Sequence, residues 1–183
     1  MAKINKLTVH ITASNDNATV EDIRKIHKAN GWSDIGYHWL VDRKGNILQG
    51  RPENLTGAHV AGHNTGNIGI SYIARGSDND SDGIAGEYMT PEQYEGLCQI
   101  VATICVKYDL AITDIYGHNE FPNVYKACPC FKVKKATKFL DRIKELMSNI
   151  PKNIDDIPEQ AESVDGIDAD GDELAHKAIR SND

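Results

Sequence analysis

A length of 183 residues, with 40% apolar side chains, is typical of one globular domain with a hydrophobic core. The formal net charge of −7 comes entirely from residues 151–183, so residues 1–150 carry no net charge. A domain without an excess of lysine and arginine lacks the charge that nucleic-acid binding requires, which excludes a nucleic-acid partner. We therefore predict a single domain over residues 1–150 and an acidic, disordered tail over residues 151–183.

The N-terminal residues and the cysteines indicate the cellular compartment. The start of the chain contains neither the apolar run nor the cleavage site of a secretory signal, and no segment has the ~18 apolar residues of a membrane span. We therefore expect a protein that is made in the cytoplasm, is monomeric and has no membrane partner. The four cysteines are then expected to be thiols or metal ligands and not disulfides.

The pattern of apolar residues predicts the order of strands and helices. Residues 6–13 alternate apolar and polar side chains, which predicts a half-buried strand with His10 on its polar face. Thr90, Pro91 and Gln93 form the sequence pattern of a capping box, which predicts the start of a long helix. The full set consists of strands at 6–13, 37–41, 47–50, 68–74 and 111–116 and helices at 19–30, 90–108 and 132–147.

These elements predict an α+β fold, in which a central mixed β-sheet carries about three packed helices. Residues 42–46 contain a glycine and connect two strands as a hairpin. In the first helix, Ile23, Ile26 and His27 share the face that is expected to pack against the sheet. The polar side chains of the first strand, including His10, are expected to line a cleft on one side of the sheet.

Two histidines and a cysteine have the chemistry of a zinc site. Zinc prefers imidazole nitrogen and thiolate sulfur, and three protein ligands leave a fourth position for water, as in catalytic sites. His118 and Cys128 are close enough in sequence to lie on one loop, and His10 comes from the first strand. The start of the following helix and Lys126 are expected to favour the thiolate form of Cys128. Cys130 leaves an alternative open, which is a closed structural site with two cysteines and two histidines.

Several short segments occur in an order and spacing typical of one enzyme family. They are VHITA at 9–13, WSDIGYHW at 32–39, GAHVAGHN at 57–64, NIGI at 67–70, HNE at 118–120 and KACP at 126–129. In these segments the chain resembles the zinc-dependent N-acetylmuramoyl-L-alanine amidases, a family that includes phage lysozymes of the amidase type and the peptidoglycan recognition proteins. The resemblance covers roughly residues 5–148 and implies a zinc enzyme that acts on bacterial peptidoglycan.

The resemblance implies a role for each matching residue. The zinc ligands of the family match His10, His118 and Cys128, which implies one Zn²⁺ ion per chain, and its catalytic tyrosine and lysine match Tyr37 and Lys126. In the implied reaction, zinc-activated water attacks the lactyl carbonyl of muramic acid and releases the amino group of L-alanine. Lys126 would stabilise the oxyanion, and Tyr37 would orient the water or assist proton transfer; the sequence does not separate these two roles.

The loop over residues 57–66 supplies the candidate substrate contacts. Because binding residues concentrate on loops, His59, His63 and Asn64 are expected to contact the sugar or the peptide. The resulting hypothesis is an endolysin-like enzyme that degrades the cell wall at phage lysis, after its release from the cytoplasm. Two alternatives stay open: a non-catalytic module that only binds peptidoglycan, and binding to a regulatory protein through the acidic tail.

Overall fold

The computed structural model describes residues 2–76, 85–86 and 88–151. The strands are β1 Lys6–Ile11, β2 Trp39–Val41, β3 Ile47–Gln49, β4 Asn67–Tyr72 and β5 Ile115–Gly117, and the helices are α1 Val20–Ala29, α2 Pro91–Tyr108 and α3 Thr137–Asn149. Short 3-10 helices lie at Ile112–Asp114, His118–Glu120 and Val133–Lys135. Each strand and helix overlaps the one predicted at that place in the sequence, with shifted ends.

The strands form one mixed sheet in the order β3-β2-β4-β1-β5. Strand β1 pairs in parallel with both β4 and β5, β2 pairs in parallel with β4, and the β2–β3 hairpin is antiparallel. This arrangement confirms the predicted α+β fold with a central mixed sheet and three helices. Parallel strands end at the same edge of a sheet, so the residues that follow β1, β4 and β5 come together there.

The two faces of the sheet are covered by different helices. The main core lies between the sheet and the helices α2 and α3, and it includes Val9 of β1. A smaller core on the opposite face joins Ile23 of α1 to Leu40 of β2. His10, Ser71 and Leu40 are paired in one row across the sheet, so His10 faces the α1 side. The side chain of His10 therefore lies on the face opposite to α2 and α3.

Strand β1 is buried on both faces, whereas its sequence pattern predicted burial of one face only. Thr8 and His10 are 0% and 1% exposed. The hydroxyl of Thr8 donates a hydrogen bond to Oδ1 of Asn67 at 3.0 Å, and Nε2 of His10 bonds to His59 at 3.1 Å, so these buried polar groups have partners. The prediction of a half-buried, polar face around His10 is wrong, because residues distant in sequence cover that face.

Helices α1 and α3 differ from their predictions in one feature each. Ile26 of α1 is 49% exposed and faces away from the core, whereas Ile23 and His27 are buried. Helix α3 begins at Thr137 and not at residue 132. The chain first makes the 3-10 turn Val133–Lys135, which buries Val133, and only then enters the helix.

The start of α2 is tied to the sheet by a glutamine. The hydroxyl oxygen of Thr90 accepts a hydrogen bond from the N–H of Gln93 at 3.1 Å, which confirms the predicted N-cap. The side chain of Gln93 does not return to Thr90 and instead donates to the carbonyl oxygens of Val41 and Ile73, at 2.9 Å each. The predicted capping box is therefore only half formed, because buried carbonyl groups of the sheet bind the amide instead.

The predicted disordered tail, 151–183, lies outside the described residues except for Pro151. The division into a domain and a tail therefore stays a prediction. Within the described part of the chain, no helix combines the length and the apolarity that a membrane span requires. None of the four cysteines forms a disulfide, and Cys98 and Cys105 are buried thiols of α2, as predicted.

Candidate metal centre

Two histidines are brought together by the ends of parallel strands. His10 is near the end of β1, and His118 directly follows β5. Val9 and Gly117 are paired in the parallel register, so the residues that follow them lie side by side. The ring centroids of His10 and His118 are 4.7 Å apart. The sheet thus places two imidazoles from distant parts of the chain at the edge where ligands of such sheets commonly bind.

Cys128 reaches these histidines on a loop that is held at several points. The carbonyl oxygen of Cys128 accepts a hydrogen bond from the N–H of Asn119 at 2.8 Å. Its sulfur accepts one from the N–H of Ile11 at 3.4 Å. The buried hydroxyl of Tyr72 donates to the carbonyl oxygen of Pro129 at 2.5 Å. Contacts from β1, β4 and the turn after β5 therefore determine where the sulfur lies.

The three side chains form a compact set of donor atoms. A ring nitrogen each of His10 and His118 and the sulfur of Cys128 all lie within 4.8 Å of one another. Nδ1 of His10 is the nitrogen that faces this sulfur, at 3.6 Å. Among the residues that the structure describes, this is the only group of at least three His, Cys, Asp or Glu side chains with the spacing of a metal site. Two imidazoles and a thiol match the ligand preference of zinc.

Burial disfavours charge on each of these three side chains. It lowers the pKa of His118 to about 4 and the pKa of His10 well below its usual value, and the charge of Lys126 adds to both shifts. It raises the pKa of the Cys128 thiol to about 12, against the opposing hydrogen bond from Ile11. Neutral imidazoles are metal ligands, and a divalent cation supplies the positive charge that a buried thiolate needs. The donor set therefore fits a zinc ion.

Cys130 and the last helix do not take the places that the sequence suggested. Cys130 is 1% exposed, belongs to the main core and is not a member of the donor group. The geometry therefore does not support the alternative of a closed site with four ligands. Helix α3 begins at Thr137, so its N-terminus is not next to Cys128. The prediction that the helix begins at residue 132, directly after this segment, is wrong, because the 3-10 turn Val133–Lys135 comes first; an effect of the helix on the thiolate stays a prediction.

Tyr37 lies against the candidate ligands, in the loop between α1 and β2. The centroid of its ring is 5.1 Å from that of His10 and 5.2 Å from that of His27. Burial raises the pKa of the phenol, the thiol of Cys128 adds to this effect, and the hydroxyl of Ser71 opposes it. The structure thus brings Tyr37 to the metal site with its phenol protonated at neutral pH.

Lys126 is exposed beside the donor group, two residues before Cys128. Its charge lowers the pKa of His10, His118 and Cys128, so its ammonium group is within electrostatic reach of all three. The neighbouring Tyr125 is 94% exposed. The ammonium group of Lys126 is therefore open to a substrate in solvent.

His59 is buried behind His10 and does not lie at the surface of its loop. It is 6% exposed, its Nδ1 lies 3.1 Å from Nε2 of His10, and its Nε2 lies 3.2 Å from the carbonyl oxygen of Asn67. Burial lowers the pKa of His59 to about 3. Both ring nitrogens of His59 thus lie at hydrogen-bond distance from groups of the protein itself, and its contact with the sugar or the peptide stays a prediction.

His63 and Asn64 shape the same loop. Oδ1 of Asn64 accepts hydrogen bonds from the backbone N–H groups of His59 and Val60, at 2.9 and 2.8 Å. The ring of His63 packs against Phe121, with centroids 5.0 Å apart, and joins this loop to the one that carries Cys128. Both side chains are only partly buried, and their contact with substrate stays a prediction.

Known proteins are similar to this chain in sequence and in fold. Residues 1–131 match the family described as N-acetylmuramoyl-L-alanine amidase, Amidase_2. The endolysin of Escherichia phage T7 is 34% identical over 129 residues, which are 69% of this chain and 81% of that protein. The solved structure of N-acetylmuramoyl-L-alanine amidase LysC from Clostridium intestinale has 32% identity and a TM-score of 0.62, over 76% of this chain and 87% of that chain. Peptidoglycan-recognition protein SC2 of Drosophila melanogaster is 35% identical over 79 residues, which are 39% of this chain and 43% of that protein.

The matched region contains the whole candidate site. Residues 1–131 include the three donor side chains as well as Tyr37 and Lys126. The similarity to the T7 endolysin extends over most of that protein, and the similarity to LysC includes the fold. The chain therefore belongs to the N-acetylmuramoyl-L-alanine amidase family.

Proposed function

We propose that this protein is a zinc-dependent N-acetylmuramoyl-L-alanine amidase that degrades bacterial peptidoglycan. The observation that carries the proposal is the grouping of His10, His118 and Cys128, whose donor atoms lie within 4.8 Å of one another. The family match supports amide hydrolysis as the reaction, and the donor set supports zinc as the metal, with one ion per chain. The bond that is cut joins N-acetylmuramic acid to the L-alanine of the stem peptide.

Each residue of the site has a part in this hydrolysis. His10, His118 and Cys128 would hold the zinc ion, which would supply a nucleophilic water near neutral pH. Lys126 stabilises the negative charge that develops on the substrate carbonyl oxygen, because its ammonium group is exposed beside the ligands. Tyr37 lies against His10 and carries a proton, so it orients the attacking water or delivers a proton to the departing amine.

The products of digestion test the reaction. Purified protein is incubated with peptidoglycan, and both new amino termini and new reducing sugars are measured. An amidase releases L-alanine amino termini without reducing ends, and a chelator stops the release. The appearance of reducing ends would show cleavage of the sugar chain and refute the proposed reaction.

Substitution of the cysteine ligand tests the metal. Cys128→Ala is expected to lose both bound zinc and hydrolysis, because two ligands do not hold the ion tightly. Cys105→Ala is the control, since it removes a thiol of α2 that lies outside the donor group, and it is expected to keep both. Full zinc content in Cys128→Ala would remove this residue from the ligand set.

The two proposed catalytic residues are distinguished from ligands by metal content. Tyr37→Phe and Lys126→Met are expected to keep one zinc ion per chain and to lose about 100-fold or more in hydrolysis. Lys138→Met is the control, because it removes an exposed lysine of α3, on the other face of the sheet. If either variant lost zinc, the substituted residue would be needed to hold the ligands in place. If either variant hydrolysed peptidoglycan as fast as the wild type, that residue would have no part in the mechanism.

The relatives support a role in phage lysis. The T7 protein is an endolysin, and the LysC protein is an amidase of the same fold. We place this enzyme in the cytoplasm on synthesis and at the cell wall after release. The alternative, a recognition module without activity, predicts binding to peptidoglycan without release of amino termini.

The same proposal assigns hydrolysis to residues 1–150 as a monomer. Deletion of residues 151–183 is expected to leave wall hydrolysis and the monomeric elution volume unchanged. A change in activity, or the loss of a bound protein, would assign a regulatory role to the acidic tail.

A further inference from the structure

The ring of His59 occupies a slot that two glycines leave open. A Cβ atom at Gly57 would lie 2.5 Å from Cδ2 of His59, and one at Gly69 would lie 2.6 Å from both Cγ and Cδ2. Side chains in packed interiors do not approach this closely, so glycine at both positions lets the ring lie against β4. Close packing against the backbone at both glycines therefore holds the ring of His59 in one place.

The hydrogen bonds of His59 determine which of its two ring nitrogens carries the hydrogen. Nε2 of His59 is 3.2 Å from the carbonyl oxygen of Asn67, which can only accept, so Nε2 carries the hydrogen. The buried ring is neutral and therefore has a lone pair on Nδ1, which lies 3.1 Å from Nε2 of His10. His10 consequently donates from Nε2, and its own lone pair lies on Nδ1. That atom is the one that faces the sulfur of Cys128, at 3.6 Å.

We propose that His59 is a positioning residue for the metal: it fixes His10 in the tautomer with hydrogen on Nε2, so that Nδ1 always presents a lone pair to zinc. This inference rests on the zinc site proposed above and adds a residue that supports it. Without His59, the hydrogen of His10 can move to Nδ1, where it blocks ligation, and the buried Nε2 has no hydrogen-bond partner.

Substitution of His59 is therefore expected to weaken zinc binding although His59 does not touch the ion. His59→Phe keeps an aromatic ring in the slot and removes both nitrogens, and zinc affinity is expected to fall about 10- to 100-fold. His59→Gln supplies an acceptor for His10 and a donor for Asn67, so it is expected to recover most of the lost affinity. The affinity is measured on the full chain by competition with a chromophoric zinc chelator.

A matched control separates this effect from a loss of packing. His27 is 8% exposed, close to the 6% of His59, and its Nδ1 accepts a hydrogen bond from the N–H of Gly36 at 3.0 Å. His27→Phe is expected to lower the free energy of unfolding and to leave zinc affinity unchanged. The proposal would be overturned if His59→Phe and His27→Phe lost equal zinc affinity and His59→Gln did not recover it.

The tautomer of His10 gives a second readout that does not depend on activity. In nitrogen-15 NMR spectra that correlate ring nitrogens with ring protons, wild-type His10 is expected to show the Nε2–H form with or without zinc. Metal-free His59→Phe is expected to show a mixture with the Nδ1–H form. If the wild type bound no zinc, the proposed function would fail and these spectra would still decide the role of His59. Wild-type affinity and an unchanged tautomer in His59→Phe would overturn only the present inference.

Discussion

Substitution of Gly69 by alanine tests whether the place of the His59 ring matters for stability and for metal binding. The added Cβ would lie 2.6 Å from Cγ and Cδ2 and 2.8 Å from Nε2 of His59, where ordinary contacts begin at 3.4 Å. The ring, or strand β4, has to retreat by about 0.8 Å to relieve this overlap. The two hydrogen bonds of the ring, at 3.1 and 3.2 Å, do not survive a ring movement of that size.

The expected magnitude combines overpacking with lost hydrogen bonds. An extra methyl group forced into a packed site costs about 1–3 kcal/mol. Each lost hydrogen bond adds about 1 kcal/mol. Alanine recovers about 0.5–1 kcal/mol because it lowers the entropy of the unfolded chain. We expect the free energy of unfolding to fall by about 2–4 kcal/mol and zinc affinity to fall about tenfold or more.

Two assays measure these changes. Urea unfolding in the presence of a chelator gives the free energy of unfolding, and competition with a chelator gives zinc affinity. Two other glycine substitutions serve as controls. Gly76→Ala adds a methyl group without crowding, because the nearest atom to its Cβ is Cβ of Ala13 at 3.4 Å. Gly96→Ala crowds the backbone of Gly45 and is expected to lose stability but not zinc affinity. If Gly69→Ala also lost stability but kept wild-type zinc affinity, the link between His59 and the metal would be refuted. If Gly69→Ala kept wild-type stability, the close packing of the His59 ring against Gly69 would be refuted.

Other substitutions test separate parts of the structure. Cys130→Ser is expected to keep one zinc ion per chain and wall hydrolysis, because this thiol lies in the core outside the donor group; loss of zinc would restore the closed site with four ligands. Gln93→Met breaks two hydrogen bonds of 2.9 Å and is expected to lower the free energy of unfolding by about 2–3 kcal/mol, and wild-type urea unfolding would contradict the tie between α2 and the sheet. Burial lowers the pKa of His27 from 6.5 to about 4. As the pH drops from 6.5 to 4, the unfolded chain therefore binds a proton at His27 before the folded chain does. The free energy of unfolding falls over this pH range. At pH 4, the loss of unfolding free energy due to His27 reaches about 3 kcal/mol. It is measured as the difference in unfolding free energy between the wild type and His27→Phe at a series of pH values. A difference that does not change with pH would contradict this prediction.

Sequence patterns predicted the strands and helices better than they predicted what surrounds them. Alternation identified β1 but implied a solvent-facing side for His10, which is 1% exposed. Alternation shows that side chains point to two faces, and it carries no information about what covers each face. In β1, the polar side chains are covered by His59 and Asn67, which lie far away in sequence, so their burial depends on tertiary contacts.

The donor group was predictable at the level of residue type, whereas the contacts that support it were not. His10, His118 and Cys128 carry the donor atoms that zinc prefers, and the structure groups them. A histidine on a loop suggests contact with substrate, and nothing in its own segment reveals that His59 turns inward. The available signal was Gly69, because a glycine inside a strand often marks the close approach of another group.

The two edges of the sheet are short, and this bears on how copies of the protein behave together. The edge strands β3 and β5 have three residues each. Unpaired N–H and C=O groups along an exposed edge strand can pair with another chain and start aggregation. A three-residue edge offers little template for such pairing, so the sheet resists edge-to-edge association. The candidate ligand His118 directly follows β5, so a second copy that pairs with this edge finds only three residues of template beside the donor group.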